Sequence, residues 1–344
     1  MAQRSQSKAK GWQQPVLLLL RLLIVGAALG VITGTALKWL APQLNTDVPL
    51  PPAADTPPEP TASLGAFTPK REDQALSRRL AEIAATQKDL KVGAFVLVLD
   101  DGTFAQLHAD RPLSAASSIK TPILLVAFEA LDQAKLSLNE ALSLNKAVVG
   151  GGAGWMGSQP LGSQFSIFEV ATEMIRVSDN TATNLLIQRL GGKDSLNARF
   201  IELGLEGTMI NNWLPDLEGT NTTTPRDQAR AIALVETGQT LSPRSRDLFR
   251  QTLGTSRTDT LIPRGWLRGI GGGTGDVNAA LLQQGVRVYN KTGDIGIAYV
   301  DSALVELPDG RRVVASYMVE GPFNDPRSTN MIRALAAASA AALK

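Results

Sequence analysis

The chain has no cysteine among its 344 residues. Disulfides, thiol nucleophiles and thiolate-bound metals are therefore excluded. Histidine is almost as scarce, with His108 the only one. A histidine-bound zinc site lacks partners, a Ser-His-Asp triad would have to use this one ring, and no metal or other cofactor is expected. His108 falls in the alternating stretch Phe104–Asp110 and reads as a strand residue. Aromatic residues make up 5%, and charge of one sign is lacking, with 34 Lys and Arg against 32 Asp and Glu. No basic stripe with interleaved aromatics is present, so nucleic acid is not an expected partner. Hydrophobic residues, by contrast, make up 44%, ample for a core.

Residues 1–14 carry Arg4, Lys8 and Lys10 and no acid. The apolar run Val16–Leu37, within a segment 15–40, is interrupted only by Arg21. Its length suits a bilayer-spanning helix, and the basic flank orients the amino terminus toward the cytoplasm. A cleavable signal peptide ending near Gly34-Thr35-Ala36 is the rival reading. Either way, the remainder of the chain is expected outside the cytoplasm, tethered to the inner membrane if the anchor is retained. Residues 41–70 contain eight prolines and read as a linker. In polyproline II at ~3 Å per residue they reach on the order of 90 Å.

The folded domain is expected over 71–344. Helical periodicity runs from Arg71 to Leu90. Val92–Leu99 and Thr103–Ala109 read as a hairpin about Asp100-Asp101-Gly102. A helical region then extends to about residue 250, including Phe168–Val177, Ala182–Leu190 and Ser195–Leu203. Strands return at Val286–Lys291, Ile297–Glu306 and Arg312–Val319, and Asp325-Pro326 opens a closing helix. The expectation is an α+β fold: an antiparallel sheet built from both ends of the chain, flanked by the terminal helices, with an all-helical lobe inserted. The run Gly269–Gly275 lacks the Lys-Ser/Thr of a phosphate loop and reads as a flexible connection.

Three short motifs stand out. Ser117-Ser118-Ile119-Lys120 places a hydroxyl and an amine three residues apart, on one helix face. Ser-x-x-Lys also occurs at Ser5/Lys8, Ser7/Lys10 and Ser143/Lys146, so it carries little alone. Ser178-Asp179-Asn180 follows 61 residues after Ser117, between two helices, and Lys291-Thr292-Gly293 ends a strand 113 residues later. Each of these two occurs once. A serine hydroxyl needs a base beside it to act as a nucleophile. Lys120 can be that base only when neutral, a state favoured by desolvation.

The trio resembles the Ser-x-x-Lys, Ser-Asp-Asn and Lys-Thr-Gly set of class A β-lactamases and related penicillin-binding proteins. The resemblance implies that Ser117 forms an acyl-enzyme, that Lys120 transfers protons, and that Ser178 relays one to the leaving group. It further implies that Asn180 holds the substrate amide and that Lys291, Thr292 and Gly293 bind its carboxylate end. The backbone N–H groups of Ser117 and Asp294 would form the oxyanion hole. Trp155 is a candidate cleft wall, with loop packing as the alternative. Arg264 is either a helper in carboxylate binding or a surface arginine.

The family's Trp-Glu-Pro-x-Leu-Asn loop is matched by Trp213-Leu214-Pro215-Asp216-Leu217-Glu218. Leu214 stands where the water-activating glutamate belongs, and Glu218 where the asparagine belongs. Asp216 and Glu218 read as loop surface carboxylates, with a relocated base among them as the alternative. Leucine at this position is similar to the PBP-A-type D-alanyl-D-alanine peptidases. The resemblance implies a monomeric serine peptidase acting on peptidoglycan stem peptides and acylated by β-lactams. A β-lactamase with a relocated base and a non-catalytic wall-binding protein are the alternatives.

Overall fold

The strand β2 (Lys91–Val98) is buried at every position after its first. A half-covered strand alternates, so an unbroken apolar run requires a sheet covered on both faces. Val92, Ala94, Val96 and Val98 face one core with the helices α1 (Gln74–Ala85) and α10 (Pro326–Leu343), joined by α8 (Leu261–Gly269). Phe95 and Leu97 face another, with Ala229, Ile232 and Ala233 of α6 (Pro225–Glu236).

These features are seen in a computed structural model that describes residues 67–257, 261–273 and 275–344. The basic tail, the apolar span and most of the Pro-rich linker lie outside the described residues. Within them, no helix is long and apolar enough to cross a membrane.

The main sheet contains β1 (Arg71–Glu72), β2, β3 (Thr103–Leu107), β8 (Arg287–Asp294), β9 (Ala298–Glu306) and β10 (Arg312–Glu320). Its order is β1-β3-β2-β10-β9-β8. All pairs are antiparallel except the two-residue β1, which runs parallel to β3. The sheet is thus assembled from both ends of the chain, as the sequence predicts. Its outer strand is β8, so the Lys291–Asp294 end of β8 is free to meet the inserted lobe.

That lobe is built on α2 (Lys120–Asp132), surrounded by α3 (Ile167–Arg176), α4 (Asn180–Arg189), α5 (Gly192–Glu202) and α7 (Pro243–Gly254). α2 buries Ile123, Leu124, Leu125, Ala127 and Phe128 within its first nine residues, which makes it the lobe's central helix. Short strands complete the lobe: β4 (Leu113–Ser114) pairs with β7 (Thr222–Thr223), and β5 (Ala141–Ser143) with β6 (Gln164–Ser166).

Four sequence expectations need correction. The first helix starts at Gln74, capped by Asp73 Oδ1 on Leu76 N (3.0 Å), because Arg71 and Glu72 pair with β3 instead. β3 ends at Leu107: His108 turns to φ 45° and its Nδ1 lies 3.0 Å from Val92 O, so it is a turn residue. Two helices beyond residue 250, α8 and α9 (Val277–Gln283), were not expected. Finally, Gly269 closes α8 rather than opening a loop. A Cβ on Gly269 would stand 2.2 Å from Ala337 O, and one on Gly265 would stand 2.5 Å from Arg333 O. These two glycines, one turn apart, let α8 press its backbone against α10.

Candidate active site

Lys120 opens α2 from inside the protein, with 0% exposure. Its Nζ lies 3.0 Å from Ser117 Oγ, 2.9 Å from Ser178 Oγ, 2.6 Å from Ser178 O and 2.9 Å from Asn180 Oδ1. The Ser178 carbonyl and Asn180 Oδ1 can only accept hydrogen bonds. A neutral lysine has two N–H groups for these two acceptors and one lone pair for a hydroxyl proton. Burial, followed by the positive charge of Lys291, holds the Lys120 amine well below its ordinary value, and Asp179 partly offsets this. The arrangement matches a base positioned for the Ser117 proton.

Ser117 sits in a 3₁₀ turn, Ala116–Ile119, immediately before α2. The chain enters it through Ala116 at φ 46°, a conformation L-residues rarely adopt. Ser118, although adjacent, is buried and returns its hydroxyl to Ala115 O at 2.7 Å. Only Ser117 is presented to the cleft. The end of β8 is pressed onto this turn: a Cβ on Gly293 would fall 2.9 Å from Ser117 N and 2.8 Å from Ser118 N. Glycine is therefore required there by the close backbone approach.

Ser178 follows the end of α3 at φ 60°, and Asp179 caps α4. The Asp179 carboxylate receives N–H groups from Ala182 (2.9 Å), Trp155 (2.7 Å) and Met156 (2.9 Å). One buried side chain thus fixes both the serine's turn and the 155–156 loop opposite. Ser178 Oγ also accepts from Lys291 Nζ at 3.1 Å, so the two lysines share this hydroxyl. Lys291 is fully buried and donates to Thr292 O at 2.6 Å. Desolvation pulls its ammonium down to about 7, opposed by the Asp301 carboxylate.

Around these groups lies a cleft of about 300 Å³, lined by Ser117, Ala153, Val177, Ser178, Leu261, Thr292, Gly293, Asp294 and Tyr299. A larger surface groove of about 520 Å³ runs between α2, α4 and α5. Its lining includes Arg199 and Glu129, already joined as an ion pair, and holds no comparable serine–lysine arrangement.

The loop after Trp213 packs against α4, outside the residues that line the cleft. Leu214 is 5% exposed and belongs to the lobe's core. Asn184 of α4 clamps it, accepting from Leu214 N at 2.9 Å and donating to Leu214 O at 2.8 Å. Asp216 is buried rather than a surface carboxylate. Its Oδ1 accepts from Thr220 Oγ1 (2.9 Å) and its Oδ2 from Asn221 N (2.6 Å), so it is spent on folding the loop. Glu218 is exposed on the loop.

The structure thus brings Ser117, Lys120, Ser178 and Lys291 into one bonded cluster, with Thr292, Gly293 and Asp294 on its rim. Asn180 belongs to the cluster through Lys120, but its Nδ2 is held by Gly151 O at 2.8 Å and it does not line the cleft. Trp155 is a loop-packing residue. Its Nε1 donates to Glu173 at 2.8 Å, its ring meets Phe165 edge-on at 5.8 Å, and Ala153 takes the cleft position. Arg264 is exposed on α8, outside the lining. Sequence reasoning missed Asp179 as a brace, the Asn184 clamp, and Leu261, Val177 and Tyr299 as cleft walls. Only Asp179, inside a motif, carried a signal that could have been used.

Comparison with known proteins gives the same picture. The profile of the β-lactamase enzyme family matches residues 75–343. The solved structure of PBP-A superposes with a TM-score of 0.73 at 39% identity, covering 80% of this chain and 98% of PBP-A. A leucine-to-glutamate mutant of PBP-A is known as an acyl-enzyme complex with penicillin G. A class A β-lactamase reconstructed as the last common ancestor of Gram-negative bacteria has a TM-score of 0.67 at 25% identity, covering 78% of this chain and all of its own. The β-lactamase of Amycolatopsis lactamdurans is 26% identical over 241 residues, 65% of this chain and 72% of the relative. The fold, the bonded serine–lysine cluster and these matches agree: the chain belongs to the β-lactamase enzyme family, as a class A-like serine hydrolase that works by acyl transfer.

Proposed function

We propose that the protein is a D-alanyl-D-alanine peptidase of peptidoglycan stem peptides, acylated by β-lactams and held at the membrane by its N-terminal segment. The observation that carries the reading is the pairing of a complete acylating cluster with a sealed leucine where a water-activating acid would stand. Ser117 Oγ attacks the scissile carbonyl carbon while Lys120 Nζ, whose neutral form burial favours, takes the hydroxyl proton. Backbone N–H groups of Ser117 and Asp294 receive the charge on the carbonyl oxygen, and one such donor lowers the barrier by roughly 3 kcal/mol. Ser178 then passes a proton from the lysine to the leaving nitrogen, the C–N bond breaks, and the acyl group remains as an ester on Ser117. Lys291 is the cation available to the far end of the substrate.

Resolution of the ester needs a nucleophile and a base. Leu214 cannot serve, Asp216 is committed to Thr220 and Asn221, and Glu218 is exposed on the loop. Water is therefore a poor acceptor and an amine a better one, which suits cross-linking. PBP-A, a penicillin-binding relative at 39% identity, supports the reading. The names of the curated relatives favour a second one, β-lactam hydrolysis. The test is to incubate the full chain with a pentapeptide ending in D-Ala-D-Ala and, separately, with nitrocefin. Release of D-alanine with only stoichiometric consumption of nitrocefin is expected. Sustained nitrocefin turnover without D-alanine release overturns the peptidase reading in favour of the β-lactamase.

A further inference from the structure

The nucleophile is reached through a short stretch of chain held from two sides. β4 pairs with β7 over two residues only, Leu113 with Thr223 and Ser114 with Thr222. The N–H of Ala115 continues that side, donating to Asn221 O at 2.7 Å. The N–H of Ser114 goes the other way, to Glu320 Oε1 at the end of β10, at 2.7 Å. Leu113 packs with Met318 of β10 and Val300 of β9. The Ser114 hydroxyl lies 3.0 Å from both Glu320 Oε1 and Gly219 O, so it joins β10 to the loop that carries Leu214.

Immediately after this stretch comes Ala116 at φ 46°, and then Ser117. A left-handed alanine persists only where the chain on either side of it is held. Downstream, Ser118 returns both its N–H (3.0 Å) and its hydroxyl (2.7 Å) to Ala115 O. Upstream, the holds are Asn221 and Glu320, and of these two only Glu320 supplies a charge. Hydrogen bonds to an ionised acceptor are about twice as strong as neutral ones. Burial pushes the Glu320 carboxyl up, but the Ser114 N–H, Lys91 and the Ser114 hydroxyl outweigh it and hold it below its ordinary value. Lys91, opposite on β2, is exposed and meets the other oxygen, Oε2, at 3.0 Å.

We propose that Glu320 is a positioning residue for the nucleophile: by holding Ser114 from β10 it fixes the strained entry to Ser117, and so the aim of the Ser117 hydroxyl between Lys120 and the bound carbonyl. Glu320 is outside the residues that line the cleft, and it acts through Ser114. The inference rests on acyl transfer through Ser117 and holds for a peptide or a β-lactam donor alike. Reacting atoms misplaced by an ångström cost on the order of 10²-fold in rate. A loosened entry therefore slows the chemical step and leaves substrate binding, made by other residues, near its native strength.

The test follows covalent labelling of the full chain by penicillin over a range of concentrations, which gives the saturating rate, the half-saturating concentration and the number of labels per chain. Glu320→Ala removes the acceptor, and Glu320→Met removes it while filling the same space. In both, the saturating rate is expected to fall about tenfold, with the half-saturating concentration within about twofold and one label still reached per chain. A purely structural role would instead lower the number of labelled chains at an unchanged rate. Glu320→Gln keeps an acceptor for the Ser114 N–H and should stay within about threefold of the native rate. Lys91→Met breaks the ion pair but spares both Ser114 bonds, and should stay within about twofold. A native rate in the variants that lack the acceptor, a loss in Glu320→Gln as large as in Glu320→Met, or an equal loss in Lys91→Met overturns the inference alone. If penicillin fails to acylate the native chain at Ser117, the functional reading fails and takes this inference with it.

Discussion

Two parts of the inserted lobe and its surroundings, the hydrogen-bonded cluster at the cleft and the loop at Leu214, are built on opposite plans. In one, Ser117, Lys120, Ser178 and Lys291 form a continuous hydrogen-bonded cluster around two fully buried amines. In the other, Leu214 is folded into the apolar core and held by Asn184 through its backbone alone. The first part keeps costly buried polar groups that a stable fold does not need. The second resembles an ordinary core. Under the proposed peptidase function, the difference means that the site makes an ester and leaves its breaking to whatever acceptor arrives.

The comparison breaks most visibly at the base. Replacing Lys120 with alanine should slow acylation by about 10³-fold, read as the rate of covalent labelling by penicillin. A rate within tenfold of the native one would show that another group takes the Ser117 proton. The complementary change, Leu214→Glu, gives the loop a carboxylate and should speed deacylation by about 10²-fold. An unaltered adduct lifetime would mean that Leu214 has been equated with the wrong position of the family's loop.

Smaller effects sharpen the contrast through stability. Asn184→Ala removes both bonds to Leu214 and leaves buried backbone groups unpaired, so a loss of about 2 kcal/mol is expected in denaturant unfolding. The pH dependence of stability should single out the lysine cluster. Lys291 is held at about 7 when folded against 10.5 as a free side chain. Between these values the unfolded chain binds the extra proton, so the Lys291 contribution makes stability rise with pH. The rise is at most about 1.4 kcal/mol per pH unit, and Lys291→Met should flatten it; an identical slope in the variant would count against the buried amine. Least of all, Trp155→Phe should cost about 1 kcal/mol from the lost Glu173 bond and leave penicillin labelling within threefold.

The sequence made the cluster legible and the Leu214 loop only in part. Ser117, Lys120, Ser178 and Lys291 lie in compact motifs whose local geometry is set within one turn or one strand, so spacing alone brings out the chemistry. The absence of an acid at Leu214 was equally readable. What escaped was pairing over long separations. Asp179 reaching Trp155 and Met156, Asn184 reaching Leu214, and Glu320 receiving Ser114 N at 2.7 Å across 206 residues leave no periodic trace. Asp216 was misjudged because a short polar loop conceals that one carboxylate can be buried to fold it. That the sheet draws its strands from both ends of the chain was readable from the strand-like runs there; their order was not. α8 was hidden by Pro263, Gly265 and Gly269, which look like helix breakers until α10 is packed against them.

The most direct test of the account times both halves of one reaction. Fluorescently labelled penicillin is mixed with the full chain, and attachment to Ser117 and subsequent release are followed in the same sample. Attachment that saturates at one label per chain, followed by release over many minutes, is the predicted result. Release as fast as attachment, with no bound label accumulating, would contradict the claim that the loop at Leu214 supplies no acid to activate water against the ester.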